Sequence, residues 1–337
     1  MKILFISNFN YGSTAIYRLN GLKKNGFEVS TINTKDYINN GFISKINHHL
    51  NLHFGLKKIN NQIIKKTDLE KPDIIFIEKG NYIFPDTLRK IKKYFRSKII
   101  HYNPDDPFGN YNKGWLLLIK SICLYDVCFV ARECNVSEYK KYGAKKIFTF
   151  NRGFDPELNN KVELSADDRK FLYTPVGFIG SYEEERAEYL SFLIENHIPI
   201  KIFGGGWENK KYWENIKNNY VKGVFVGNEY VKIINSMDIA LHFLRRGNRD
   251  EQDHRTFEIP ACGTFMLAQF SDFHEKFKQA NAADLFSNKM ELLNKIKYYL
   301  KNKEERITIA NNGYNYVRNM HYDYTFIMKE LIDKAII

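Results

Sequence analysis

A chain of 337 residues is long enough for two domains of roughly 150 residues, each with its own core. Hydrophobic residues make up 44% and aromatic residues 15%, which excludes a disordered chain. The formal net charge of +12 admits nucleic acid, an anionic membrane surface or a phosphorylated ligand as partner; because the lysines are spread rather than gathered in one run, an ordinary basic surface fits as well.

The chain opens directly on a predicted strand, not on a signal peptide. No apolar run approaches the roughly 18 residues that span a bilayer. A cytoplasmic protein is expected, with a peripheral position at the inner face of the membrane as an alternative. Residues 2–7 form a short, continuously apolar run, as a central parallel strand requires. A polar loop over 8–13, a helical pattern over 13–25 and a strand over 27–34 complete a β-α-β unit. The loop lacks G-x-G-x-x-G, so the dinucleotide fingerprint is absent.

Residues 37–70 interleave apolar positions such as Phe42, Ile46, Leu50, Ile59 and Ile63 with Lys45, His48, His49, His53, Lys57 and Lys58. This predicts helical material with a basic face. It is either an ordinary amphipathic helix pair or a contact surface for an acceptor or anionic lipid. No carboxylate lies among the three histidines, so no metal site is expected. Strands over 73–78 and 98–102 follow, around a helix over 85–96. The second strand delivers Asn103-Pro104-Asp105-Asp106-Pro107-Phe108. Two adjacent carboxylates there stand where α/β proteins place chemistry, and a proline-bounded turn with an Asp helix cap is the plainer reading. A strand over 126–131, a helix over 135–142 and a strand over 146–150 close the first half. Cys123, Cys128, Cys134 and Cys262 form no C-x-x-C pair and are expected as buried free thiols.

Residues 151–168, polar and irregular, read as a linker. Strands over 176–179, 199–203, 223–226, 238–244, 264–268 and 284–286 then alternate with helices, and helices run from about 288 to the end. The expected domains are 1–160 and 161–315, with 316–337 a helix placed to pack back on the first. Two doubly wound domains facing across a cleft is the simplest α/β architecture.

Three glycine loops mark the second half: Gly177-Phe178-Ile179-Gly180-Ser181, Gly204-Gly205-Gly206-Trp207 and Gly227-Asn228. Glycine admits close backbone approach, and a following helix offers free N–H groups to phosphate, although strand-helix turns favour glycine anyway. The strand over 238–244 leads into Arg245, Arg246, Arg249, His254 and Arg255, whose charge suits a pyrophosphate. Glu258 follows within one helical turn. A carboxylate beside a phosphate site suits ribose hydroxyls; the alternative is a first-turn charge complementing the helix dipole.

The stretch Arg255-Thr256-Phe257-Glu258-Ile259-Pro260-Ala261-Cys262-Gly263-Thr264-Phe265-Met266-Leu267-Ala268 resembles the signature of the CgeB-like (spore-maturation type) group-1 glycosyltransferases of the GT-B fold. Gly177 to Tyr182 with Glu185 and Arg186, the segment from Tyr102 to Pro107, and the tail around Lys297 to Arg306 with Gly313 and Tyr314 are similar to the same group. The resemblance implies two Rossmann-like domains, with a nucleotide-diphosphate sugar on the second and an acceptor on the first. Gly180, Ser181, Gly205, Trp207, Arg245, Arg249, His254, Arg255 and Glu258 would line the donor site, with Glu258 in the ribose-binding position. Many relatives carry a Glu eight residues before it, where this chain has Asp250, and an acidic residue where it has Gln269.

The expected reaction is sugar transfer to an acceptor hydroxyl without a bound metal or a tightly held cofactor. Asp105 or Asp106 would deprotonate the hydroxyl in an inverting transfer or position it in a retaining one, and the arginines would stabilise the leaving diphosphate. Donor base and sugar stay open, with UDP or dTDP favoured. So does the acceptor, a saccharide, a lipid-linked glycan or a protein, in bacterial surface glycan or glycoconjugate synthesis. The alternatives are a GT-B-type nucleotide-sugar epimerase and a non-enzymatic nucleic-acid-binding protein. Only charge supports the latter, since no recognition helix or RNP-like motif is present, and no nucleic-acid partner is expected.

Overall fold

The computed structural model describes residues 1–38, 56–109 and 114–337. His48, His49 and His53 lie outside the described residues, and of the basic amphipathic segment only the helix Lys57–Glu70 is described. The chain divides into two compact units, Met1–Asn151 with Arg246–Asp250 and Tyr324–Ile337, and Arg152–Arg245 with Glu251–Asp323.

The first unit runs β1 (Lys2–Ser7), α1 (Ala15–Lys24), β2 (Glu28–Asn33), α2 (Lys57–Glu70), β3 (Ile74–Glu78), α3 (Pro85–Tyr94), β4 (Lys98–Asn103), α4 (Leu116–Ser121), β5 (Val127–Val130), α5 (Glu133–Lys141) and β6 (Ile147–Thr149). Its strands pair in parallel in the order β2-β1-β3-β4-β5-β6. Helices cover both faces, so the central strands carry apolar residues in unbroken runs, and every residue of β3 is buried. The chain's last helix, Tyr324–Ile336, belongs to this unit and packs on α1. Gly21 makes that approach possible, because a Cβ there would collide with the Tyr324 carbonyl oxygen. Gly21→Ala is therefore expected to destabilise the protein by about 1–3 kcal/mol, the cost of overpacking a tight contact. Urea unfolding checks this, and an unchanged midpoint would show that the last helix moves aside freely.

The second unit runs α6 (Ala166–Leu172), β7 (Thr174–Ile179), α7 (Glu184–Glu195), β8 (Ile200–Gly204), α8 (Trp213–Ile216), β9 (Tyr220–Lys222), α9 (Gly227–Asn235), β10 (Met237–His242), α10 (Arg255–Ala261), β11 (Phe265–Gln269), α11 (Asp272–Gln279), β12 (Asp284–Phe286), α12 (Lys289–Lys301) and α13 (Lys303–Asn319). Its sheet is parallel in the order β12-β11-β10-β7-β8-β9. From β7 the chain winds outward through β8 and β9, then returns to place β10 on the other side of β7. The β7/β10 junction is thus a topological switch point, where the loops after the two strands diverge and leave room for a ligand.

Three expectations are corrected. The strand predicted over 223–226 lies at Tyr220–Lys222. Val224 is exposed and the Phe225 ring fills the space beside the Gly223 α-carbon, so the chain bends away before a strand can extend. The third glycine loop therefore does not end a strand, and Gly227 is the first residue of α9. The polar stretch 151–168 is no solvated linker, since Phe154, Asp155 and Asn159 are buried. Its polar side chains serve the backbone: Asp155 N donates to Asn159 Oδ1 at 2.9 Å, the Asp155 carboxylate accepts from Glu157 N at 2.9 Å, and a capping box on Ser165 starts α6. Of the cysteines, Cys128 and Cys262 are buried, but Cys123 and Cys134 sit on exposed positions of helical turns. Among the described residues no helix is long and apolar enough to cross a membrane.

Candidate functional site

At the switch point of the second unit the loops after β7 and β8 are locked together. Gly204 has φ +148°, and a Cβ on it would collide with the Gly180 carbonyl oxygen. That carbonyl accepts from the Trp207 indole N–H at 3.0 Å, and Tyr182 N donates to the Gly205 carbonyl at 3.3 Å. Gly180 in turn leaves room for Arg255, whose guanidinium Nη2 lies 3.3 Å from where a Cβ on Gly180 would stand. Gly180, Gly205, Trp207 and Arg255 thus converge. Ser181 is exposed beside them, its carbonyl accepting from Arg186 at 3.4 Å.

Arg255 is oriented by a chain of hydrogen bonds running into the core. Asp253 Oδ1 accepts from Arg255 N at 2.7 Å and bonds His242 Nε2 at 2.8 Å. Burial alone would raise the Asp253 carboxyl, but His242, Arg255 and Arg152 outweigh it and hold it well below the usual carboxylate range. Behind it, His274 is buried and pushed down to about 3, so its ring is neutral. Its Nδ1 lies 2.8 Å from the Gln269 carbonyl, which can only accept. Nε2 is therefore the acceptor and takes the Thr256 hydroxyl at 2.9 Å, while Thr256 Oγ1 accepts from Asp253 N at 3.1 Å. His254 precedes the first turn of α10, its carbonyl accepting from the amides of Phe257 and Glu258.

Glu258 is the fourth residue of α10 and is only 5% exposed. Among the described residues its carboxylate has one hydrogen-bond donor, the Tyr230 hydroxyl, at 2.7 Å from Oε2. Burial pushes this carboxyl up to about 7, against the pull of Tyr230 and the Arg255 charge. Tyr230 is itself held well above its ordinary value, chiefly by burial and by the Glu258 charge, so it remains a donor.

Other sequence expectations resolve differently. The helix after the Gly177–Ser181 loop is not a bare anion site, because Glu183, Glu184 and Glu185 crowd its start. Glu183 accepts from Arg245 Nε at 2.9 Å, and Glu185 accepts from Gln269 Nε2 at 3.0 Å. Gln269 also accepts from Leu244 N at 3.1 Å, so it fixes the turn after β10. Two of the arginines expected to hold the diphosphate are engaged by carboxylates, Arg245 by Glu183 and Arg249 by Asp106 and Glu138. Arg249 belongs to the first unit and has φ +48°. Its guanidinium holds Asp106, with Nε 2.5 Å from Oδ2 and Nη2 2.8 Å from Oδ1, and Glu138 at 2.9 Å.

Asp106 also accepts from Asn135 at 2.9 Å and from Phe108 N at 3.0 Å. Burial would raise its carboxyl, but these bonds outweigh burial and hold it below the ordinary value. A carboxylate so committed is a poor base. Asp250 is likewise occupied, paired with buried Arg132 and accepting from Asn248 at 3.0 Å. Asp105 is different. It is partly exposed at the carboxyl edge of the sheet and pairs with Lys79 at 2.7 Å. Lys79 holds φ +65°, in the left-handed region that favours glycine. Sequence reading passed over Lys79, although a charged residue and a glycine directly after an apolar strand were a signal. Tyr230, His242, Asp253 and His274 left none.

Residues 186–333 match the family model described as glycosyl transferase-like. Sucrose-phosphate synthase from Thermosynechococcus elongatus is 12% identical with a TM-score of 0.72, covering 99% of this chain and 98% of that one. HepE from Anabaena, solved in complex with UDP-glucose, is 12% identical with a TM-score of 0.67, covering 99% of each chain. The α,α-trehalose 6-phosphate synthase from Burkholderia multivorans is 12% identical with a TM-score of 0.64, covering 99% of this chain and 98% of that one. No curated protein matches the sequence. The two six-stranded parallel sheets with their flanking helices form a GT-B fold. Fold and family match together support a glycosyltransferase of the group-1 type.

Proposed function

We propose that this protein transfers a sugar from a nucleoside-diphosphate sugar to an acceptor hydroxyl, with the donor on the second unit and the acceptor on the first. One observation carries the reading. Glu258 is a buried carboxylate with a single donor and one oxygen without a partner among the described residues, beside Arg255 at the switch point. A buried carboxylate pushed up in pKa beside a cation suits a ligand that brings both hydroxyls and negative charge. Glu258 takes the ribose. Arg255, with the Gly180–Ser181 backbone, takes the diphosphate and stabilises the charge it gains as the glycosidic C–O bond breaks, with no metal assigned to that role. HepE, solved with UDP-glucose, favours a pyrimidine donor.

Asp105 is assigned to the acceptor, since Asp106 is held by Arg249. In an inverting transfer it accepts the hydroxyl proton as the new C–O bond forms, and in a retaining one it orients the hydroxyl. Synthesis of surface glycans or glycoconjugates is the setting we assign. The exposed Lys57, Lys58 and Lys65 on α2 suit an acceptor presented at an anionic membrane face.

Thermal stabilisation by UDP-, dTDP-, GDP- and CMP-sugars tests the donor, because a ligand bound only by the native state raises Tm. No shift with any of them overturns the reading. A sugar isomer formed from donor alone would identify an epimerase instead. Asp105→Asn is expected to lower turnover about 100-fold or more while leaving donor affinity intact, and full turnover would remove Asp105 from the mechanism.

A further inference from the structure

We propose that the second unit binds a nucleoside monophosphate at the edge of its sheet opposite the glycine loops. The site is a cavity of about 430 Å³ where the chain enters β7 and β10. Small-molecule sites have volumes of this order. Gly180 follows the other end of β7, roughly 20 Å away at about 3.3 Å per residue, so a ligand here does not touch the glycine-loop edge.

The walls come from the polar stretch 151–168, from α6 and from the end of α9. Val162 N donates to Asn235 Oδ1 at 3.1 Å, and Asn235 Nδ2 donates to the Asn160 carbonyl at 3.1 Å, which ties the stretch to α9. Asp168 on α6 pairs with Lys232 on α9 at 2.9 Å, and the Ser236 hydroxyl donates to the Ile233 carbonyl at 2.7 Å. These polar groups are spent on holding the walls in place. Val162, Leu164 and Met237 give the cavity an apolar side, and Tyr173, about half exposed, adds an aromatic ring.

Two polar groups remain for a ligand. Arg169 Nε donates to the Leu164 carbonyl at 3.3 Å, which orients the guanidinium and leaves its two terminal nitrogens, and no carboxylate among the described residues pairs with them. That edge of a guanidinium matches two oxygens of a phosphate. Asp238 is engaged through one oxygen: Oδ2 accepts from the Tyr173 hydroxyl at 3.1 Å and lies 3.3 Å from buried Arg306. Arg306 offsets the charge of this carboxylate, so the cation of Arg169 is the one left uncompensated at the cavity. Asp238 Oδ1, which no donor among the described residues reaches, accepts a ligand hydroxyl. One phosphate, a hydroxyl and an apolar ring system in a single ligand describe a nucleoside monophosphate. A sugar phosphate brings no apolar ring to the Val162–Met237 side, and a diphosphate brings more charge than one arginine matches.

The test is isothermal titration calorimetry of the full chain with UMP, CMP, AMP and GMP, beside glucose 6-phosphate and inorganic phosphate. At least one of the four nucleotides is expected to bind, with glucose 6-phosphate and inorganic phosphate about tenfold weaker or more. Arg169→Gln should weaken that nucleotide about tenfold or more, because a charged donor pair is lost. Val162→Trp, which fills the cavity, should abolish binding, with circular dichroism as the check on its fold; Arg169 is exposed, so its variant decides the matter alone if Val162→Trp does not fold. No binding by any of the four overturns the proposal. So does a nucleotide lost in Glu258→Ala and kept in Arg169→Gln, which binds at the glycine-loop edge instead. Glucose 6-phosphate binding as tightly as the best nucleotide overturns the nucleotide class, and inorganic phosphate binding as tightly marks an adventitious ion only.

Discussion

Glu258→Gln is expected to raise the thermal midpoint of the unliganded protein at pH 8 while removing most of its nucleotide affinity. In the folded protein this carboxyl titrates at about 7, against an ordinary value of 4.5. The folded state therefore holds a proton that the unfolded chain releases, and stability is lost as pH rises from 4.5 through 7, with the full penalty present above that. The gap, at 1.36 kcal/mol per pH unit, is roughly 3 kcal/mol. Glutamine carries no charge to desolvate and escapes the penalty. Near pH 5 the wild-type carboxyl is itself mostly protonated in the folded state, so the two proteins should melt almost together. At pH 8 the variant should melt a few degrees higher, at about 1–2 °C for each kcal/mol in a chain of 337 residues. The same change should weaken nucleotide binding by about 10- to 100-fold, because a neutral amide replaces a charged acceptor. Differential scanning calorimetry at pH 5 and pH 8, with and without nucleotide, reads all of this. An equal Tm shift at both pH values would show that Glu258 is not charged at the cost assigned to it. A gain in stability coupled to a loss of binding is the signature of a residue kept for its ligand.

How much of this was legible in the sequence depended on distance along the chain. Central strands such as Lys2–Ser7 and Ile74–Glu78 announce themselves because parallel strands covered on both faces must be apolar throughout. The short edge strand Tyr220–Lys222 has no such constraint, and the neighbouring valine and phenylalanine drew the prediction three residues too far. Arg255 and Glu258 were legible because they share one helical turn and follow a run of glycine loops. Tyr230 was not, since it lies 28 residues before Glu258 on another helix. Arg249 was misplaced for the same reason. Its charge and its position after β10 suggested a phosphate ligand, but its partner Asp106 is 143 residues away, and only the folded chain shows that each neutralises the other. That pairing also separates Asp105 from Asp106, two adjacent carboxylates that no pattern along the chain could rank.

Arg132→Met is expected to produce the largest loss of stability among the changes considered, about 3–5 kcal/mol. Its side chain is 4% exposed and that of its partner Asp250 is 3% exposed. Arg132 also donates to the Pro104 carbonyl at 3.2 Å, directly before Asp105. Removing it leaves the Asp250 carboxylate buried without its counter-charge, and the desolvation penalty is then uncompensated. Pairing it with Asp250→Leu removes the orphaned charge along with its partner, so the double variant should recover most of the loss, as exchanges of a whole buried ion pair for apolar side chains commonly do. Urea unfolding with the slope held in view measures both, and a double variant as unstable as the single would show that packing, not charge, is what Arg132 supplies. The double variant also decides what Asp250 is for. If Asp250 serves to hold Arg132 and Asn248, the stable double variant should keep donor affinity and lose turnover only as far as the Pro104–Asp106 turn shifts. If Asp250 touches the transferred sugar, the double variant should be stable and inactive, with nucleotide diphosphate still binding and the sugar-bearing donor no longer favoured over it.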